Sequence, residues 1–337
     1  MLAMAAGAAG ALILAGLTVR RHQRQFDFRG KSVLIAGGSR GLGLVISRQL
    51  AAQGARLAIC ARSQEELDAA VADLQSRGAD VQAYRCDLAN RDEAKHMVQQ
   101  VLADLGTIDV LINNASTITV GPIETMTLDD YHYSMETIFW SAAHTAYYVV
   151  PHMQQKKSGR IVNIGSIGGK VGVPHLSTYC AAKFALTGWS RSIQAELRKD
   201  GIYVTTISPG LMRTSSPRNA TFKSQNKAEY AWFKISDSLP GLTLSAEQAA
   251  YEIIEAARRG EVESVLGLPA QIAILFDNLA PELSGEIAAL AARALPAVGG
   301  IGTRSARGAE SESSATRSPL TKLTDTAARE NNELIAG

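Results

Sequence analysis

Residues Lys31 to Leu50 read KSVLIAGGSRGLGLVISRQL. Lys31 to Ala36 is a short apolar run of strand character. Val45, Ile46 and Leu50 then repeat at helical spacing. Between them lies Gly37-Gly38-Ser39-Arg40-Gly41-Leu42-Gly43. A strand, a glycine turn and a helix in that order let backbone approach a pyrophosphate, which the helix N-terminus then faces with unpaired N–H groups. The spacing G-x-x-x-G-x-G departs from the commoner G-x-G-x-x-G, so its place between strand and helix carries the reading.

Further along, the same alternation repeats. Strands are expected at Arg56–Ala61, Val81–Cys86, Ile108–Ile112, Ile161–Ile164, Ile202–Ile207 and Val265–Leu268, with helical patterns between them. Strands alternating with helices predict an α/β fold with a doubly wound parallel sheet, whose ligands bind beyond the carboxyl ends of the strands. The glycine turn, Asp87-Leu88, Asn113-Asn114-Ala115, Ser166 and Pro209-Gly210 all follow strands, so all should gather on one edge. Asp87 could accept from an adenine amino group or cap the next helix. The strand at Arg56–Ala61 ends in Arg62 rather than a carboxylate, and Arg40 stands in the glycine turn. Two guanidiniums suit a 2′-phosphate, which points to NADP over NAD.

Ser166 to Lys183 reads SIGGKVGVPHLSTYCAAK. On a helix, Tyr179 and Lys183 share one face, and an ammonium beside a phenol favours the phenolate. A phenol near pH 10 needs such help to exchange protons at neutrality. Ser166 could hold a substrate oxygen.

Taken together, the AGGSRGLG turn, NNA, the Ser166–Tyr179–Lys183 spacing and the PGLMRT segment resemble the short-chain dehydrogenase/reductase family, over about residues 28–269. The resemblance implies a Rossmann-type domain in which Tyr179 donates or accepts the proton. Lys183 would assist it and bind the nicotinamide ribose, Ser166 would orient the substrate, and Pro209, Gly210 and Thr214 would lie by the nicotinamide. The chain departs from the family pattern in three places. Ala36 replaces a Thr, Ser116 replaces a Gly, and Ile138 (or, one position earlier, Thr137) stands where an asparagine usually holds a relay water. The expected function is NADP-dependent interconversion of a hydroxyl and a carbonyl on an apolar or lipid-like substrate. The alternative is a weakened nucleotide-binding scaffold, for which Ile138 is the motive.

The 337 residues carry a net charge of +2, which argues against a nucleic-acid binder. Cys60, Cys86 and Cys180 show no metal-ligand spacing, which fits a reducing compartment, and Cys60 and Cys86, at the ends of apolar strand-like runs, read as core residues. Leu2 to Val19 carries no charge and is followed by Arg20, Arg21 and Arg24. That pattern predicts a single-pass anchor over residues 1–20 with the domain on the cytoplasmic side; the alternatives are a cleaved or targeting peptide, which expects its charge before the apolar run, and a disordered or loosely attached segment. From Leu211 to Leu244 aromatic and basic residues mix, as expected of a substrate lid with an apolar pocket under a solvated basic face. Residues 270–298 carry two amphipathic stripes, suited to packing on the domain, a homodimer partner or a bilayer surface. Residues 299–337 are rich in glycine, serine and mixed charge, and are expected to be disordered.

Overall fold

The computed structural model describes residues 25–333 apart from residues 215, 240 and 318–320. The expected anchor over residues 1–20 therefore lies outside the described residues. Among the described residues, no helix is long and apolar enough to cross a membrane.

The central sheet follows the expected alternation. Its strands are β1 (Ser32–Ala36), β2 (Arg56–Ala61), β3 (Val81–Arg85), β4 (Val110–Asn113), β6 (Gly159–Ile164), β7 (Ile202–Pro209) and β11 (Glu263–Leu266). All are paired in parallel, in the spatial order β11-β7-β6-β4-β1-β2-β3. The order reverses between β1 and β4, which opens a crevice at their carboxyl ends. Val33, Leu34 and Ile35 have no exposed surface, as expected of a strand covered on both faces. On one face lie α1 (Gly41–Ala51), α2 (Gln64–Ser76) and α9 (Ala246–Arg259), and on the other lie α3 (Arg91–Leu105), α5 (Ser141–Lys156) and α6 (Ser177–Leu197). Cys60, Cys86 and Cys180 are buried and unpaired.

The long helix expected from Leu128 is not continuous. α4 (Leu128–Ser134) passes into a π-helical stretch, Met135–Trp140, before α5 begins. The last strand ends at Leu266, and Gly267, at φ +89°, turns the chain into α10 (Leu268–Leu279) and then α11 (Pro281–Ala294). α11 has no buried residue, and Leu275, Leu279, Leu283, Ile287 and Leu290 are exposed.

The lid between β7 and α9 contains β8 (Met212–Arg213), α7 (Ser216–Asn219), β9 (Thr221–Phe222), α8 (Asn226–Ser236) and β10 (Leu244–Ser245). Its aromatics turn inward: Phe222 and Tyr230 are fully buried and pack with Phe233 against Val120, Leu176 and Cys180, in a cluster that Tyr179 borders. Three of its basic residues are paired, Lys223 with Asp130, Arg218 with Glu312 and Lys234 with Asp325, while Lys227 is exposed.

Residues 299–333, expected to be disordered, are folded where described. β12 (Ala306–Arg307) pairs antiparallel with β9, which also pairs with β5 (Thr119–Val120). Beyond it, α12 (Lys322–Glu330) leads to Asn331 and Glu333, both buried. Composition misled here because Thr316, Thr321 and Thr324 are buried and hydrogen-bonded to protein partners, so a polar segment packs with few apolar residues.

Candidate active site

β1 delivers the glycine turn to the crevice. Gly37 has φ +79°, and a Cβ there would come within 3.0 Å of the Ala115 backbone. A Cβ on Gly43 would lie 2.0 Å from the Gly37 carbonyl. The turn thus closes only without side chains at these positions, leaving the cradle that a pyrophosphate needs. Asn114 Nδ2 donates to the Gly37 carbonyl at 2.9 Å and holds the turn against the end of β4. Ala115 lies against it, and Leu42 is buried.

Asn113 closes β4. Its side chain is buried, donating to Asn163 Oδ1 at 2.8 Å and accepting from Thr145 at 2.7 Å. Asn163 continues the network to Ser190 and Thr206. A fully satisfied buried polar network of this kind stiffens the sheet edge. Asp87 turns its carboxylate back on its own loop, accepting from the Ala89 N–H at 3.1 Å, while Asn90 caps α3. Leu88 is buried and its carbonyl meets His144.

At the end of β2, Arg62 Nη1 donates to the Tyr133 hydroxyl at 3.3 Å. Burial opposes ionisation of Tyr133, but the guanidinium holds its phenol below the usual range. Arg40 is already engaged, by Glu66 Oε1 at 3.0 Å and Asn219 Oδ1 at 2.9 Å. Ser39 Oγ donates to the other Glu66 oxygen at 3.0 Å. Glu66 was not anticipated. Its signal was the helix start Ser63-Gln64-Glu65-Glu66, where Ser63 accepts from the Glu66 N–H while the carboxylate turns to the glycine turn.

β6 presents Ser166, whose Oγ accepts from the Gly168 N–H at 3.0 Å. Ser166 is also near enough to the Tyr179 phenol to favour its ionised form. On α6, Lys183 is buried; its Nζ donates to the Ile164 carbonyl at 2.8 Å and stands 5.6 Å from the centroid of the Tyr179 ring. The three expected catalytic residues therefore meet at the carboxyl end of β6. The expected electrostatics differ, however. Burial pushes the Tyr179 phenol up, opposed by Ser166, and holds the Lys183 ammonium down to about 7. Desolvation, which disfavours both charged forms, is the leading cause for each.

Asp237, just past α8, is a second unanticipated member. It is buried, burial pushes its carboxyl up to about 8, and its charge acts on Tyr179. Nothing in a lone aspartate within the lid sequence marks it. Pro209 ends β7, Gly210 N–H donates to the Leu266 carbonyl at 3.0 Å, and Thr214 is buried with its hydroxyl on Ser216. Ile138 is buried against Ala142, Ala182 and Leu186, with Tyr179 packed on the same cluster. Its side chain faces α6. Thr137 interacts instead with Tyr133.

Residues 31–225 match the family model described as short chain dehydrogenase. The chain belongs to this family. It is 32% identical over 264 residues to a fatty acyl-CoA reductase of Acinetobacter baylyi, covering 77% of this chain and 83% of that one. It is 33% identical over 280 residues to a dehydrogenase/reductase SDR family protein 7-like protein of Anopheles gambiae, covering 81% and 86%. Among solved structures, a short chain dehydrogenase/reductase from Burkholderia phymatum in complex with NAD superimposes with a TM-score of 0.70. That match covers 77% of this chain and 96% of that one at 21% identity, which shows the shared fold. The protein is thus an NAD(P)-dependent oxidoreductase of the short-chain type, acting on CH–OH groups.

Proposed function

We propose that this short-chain dehydrogenase interconverts a carbonyl and a hydroxyl on a lipid-like substrate, with NADP(H) as the preferred cofactor. The observation that carries the reading is the meeting of Ser166, Tyr179 and Lys183 at the sheet edge onto which the glycine turn also opens. The glycine cradle fits a dinucleotide, which when bound supplies or accepts the hydride. Ser166 orients the substrate oxygen, and Tyr179 gives that oxygen a proton in reduction or takes it in oxidation. Lys183 supports the phenol, with the Ile164 carbonyl fixing its ammonium. Arg62, set where β2 ends, supports the choice of NADP, while Arg40 is shared with Glu66.

The lipid-like substrate rests on two features. One is the likeness to a fatty acyl-CoA reductase. The other is the exposed apolar hairpin of α10 and α11, whose end borders a groove of about 560 Å³ beside Val173, Pro174 and His175, in the loop leading to Tyr179. The apolar run Leu2 to Val19 before Arg20 and Arg21 supports attachment to a membrane, with the domain on the cytoplasmic side. The test is a panel of long-chain aldehydes, fatty acyl thioesters and short polar carbonyls, run with NADPH and NADH. The expected result is NADPH-dependent reduction of the long-chain members. Turnover of the short polar compounds alone would overturn the substrate class, and an NADH preference would overturn the cofactor. Recovery in the soluble fraction after cell breakage would overturn the membrane attachment.

A further inference from the structure

The segment from β12 to Glu333 touches both halves of the site. On the lid, β12 extends β9, Lys234 Nζ donates to the Thr316 carbonyl at 2.9 Å, and Lys234 pairs with Asp325 at 2.7 Å. At the nucleotide turn, the Gly41 N–H donates to the Asn331 carbonyl at 2.9 Å. Asn332 Nδ2 donates to the Ser39 carbonyl at 2.9 Å and to the Glu66 carbonyl at 3.0 Å. Arg48, on α1, donates to Asn331 Oδ1 at 2.7 Å and to the Glu330 carbonyl at 2.9 Å. The carboxylate of Glu333 lies so close to Gly41 that a Cβ there would sit 2.7 Å from Oε1. Asn332 has φ +59°, a left-handed conformation that asparagine tolerates better than most residues.

These contacts act on the part of the turn that must hold its shape. Gly41 has φ +53°, and Arg40 offers α1 no side-chain cap. An unsatisfied helix-start N–H and a left-handed glycine make a pliable turn. Asn331 satisfies that N–H from outside, and Asn332 ties the turn to α2, which carries Glu66.

We propose that the segment is a strap fastening the lid to the nucleotide turn, and that Asn332, with Arg48 as its anchor, is a positioning residue for the dinucleotide. This rests on the reading of the glycine turn as the dinucleotide site. The strap presets the turn, so cofactor binding need not order it, and the lid and the cofactor site keep one register.

The experiment titrates the full chain with NADPH, following its fluorescence, for the native protein, Asn332→Ala and Arg48→Ala. Each variant is expected to raise the dissociation constant about tenfold, the order expected for the two hydrogen bonds that each removes between strap and nucleotide half; Arg48→Ala also removes the pair with Asp73 at 2.7 Å. The KM for cofactor should rise in parallel, with kcat at saturating cofactor within about twofold and the full binding amplitude retained. A strap that served stability alone would lower Tm and leave the dissociation constant unchanged, which overturns the proposal. Tighter binding in the variants also overturns it, since the strap would then exclude the cofactor. A native protein that binds no dinucleotide would instead sink the reading of the site itself.

Discussion

The ammonium of Lys183 lies over the face of the Tyr179 ring, 5.6 Å from its centroid, and gives its hydrogen bond to the Ile164 carbonyl at 2.8 Å. One helical turn fixes their separation, so lysine and phenol move together on α6. Ser166, which favours the ionised phenol, stands on a different element. The cation and the hydroxyl beside the phenol thus come from two parts of the fold.

Removing the phenol hydroxyl separates chemistry from binding. Tyr179→Phe should lower kcat by about 10² to 10⁴ while leaving NADPH binding intact by fluorescence titration. A variant retaining native turnover would remove the mechanism.

Lys183 should cost the protein stability. Its folded pKa of about 7 lies below the ordinary 10.5, so the unfolded chain holds more protons between those values. The penalty is full below pH 7 and fades as pH rises towards 10.5. Lys183→Met should therefore raise Tm most at or below pH 7, with the gain shrinking at higher pH, while turnover collapses. Thermal melts across that range, beside a turnover assay, check this.

Asp237 reverses the sign. Its folded pKa of about 8 lies above the ordinary 3.8, so the folded state keeps the proton longer. The cost of burying the carboxylate is absent below pH 4, grows between 4 and 8, and is full above 8. Asp237→Asn should change Tm little at pH 4 and raise it at pH 8. Removing a negative charge near Tyr179 should also move the basic limb of the pH–rate profile down. Calorimetry at both pH values, with that profile, tests both effects.

Ile138 leaves the face of α6 near Tyr179 apolar. Ile138→Asn places a polar group in a dry cluster, at a cost of about 1–3 kcal/mol, so Tm should fall. If the family's usual relay water is what the native chain lacks, kcat should rise and its solvent isotope effect shrink. A lower Tm with an unchanged isotope effect would show that protons take another route.

Arg62 should govern cofactor choice. Arg62→Ala should raise the KM for NADPH about tenfold or more, as expected for a lost charge-assisted pair, and leave that for NADH nearly unchanged. Equal losses with both cofactors would assign Arg62 a purely structural role.

The sheet was legible because each strand is a local apolar run. β2 falls where Arg56 to Ala61 predicts it, and the glycine turn announces itself through its place between a strand and a helix. Ser166, Tyr179 and Lys183 were legible for the same reason, being bound by helix geometry and one loop. What was hidden depends on distant partners. Glu66 reads as an ordinary first-turn acid until Ser39 and Arg40 are folded beside it. Asp237 has no periodic signature, and the π-helical turn over Ile138 leaves none in composition. The folded segment after residue 299 was missed because its threonines and asparagines are held by hydrogen bonds to remote parts of the chain.

The bond from Asn332 to Ser39 joins positions 293 apart in sequence. During synthesis the strand and glycine turn emerge well before their buttress, which cannot form until the 293 further positions to Asn332 have left the ribosome. Contacts so remote close slowly. The nucleotide site is therefore begun early and completed late, and a partly made chain would meet dinucleotide with a turn that this buttress does not yet hold in place.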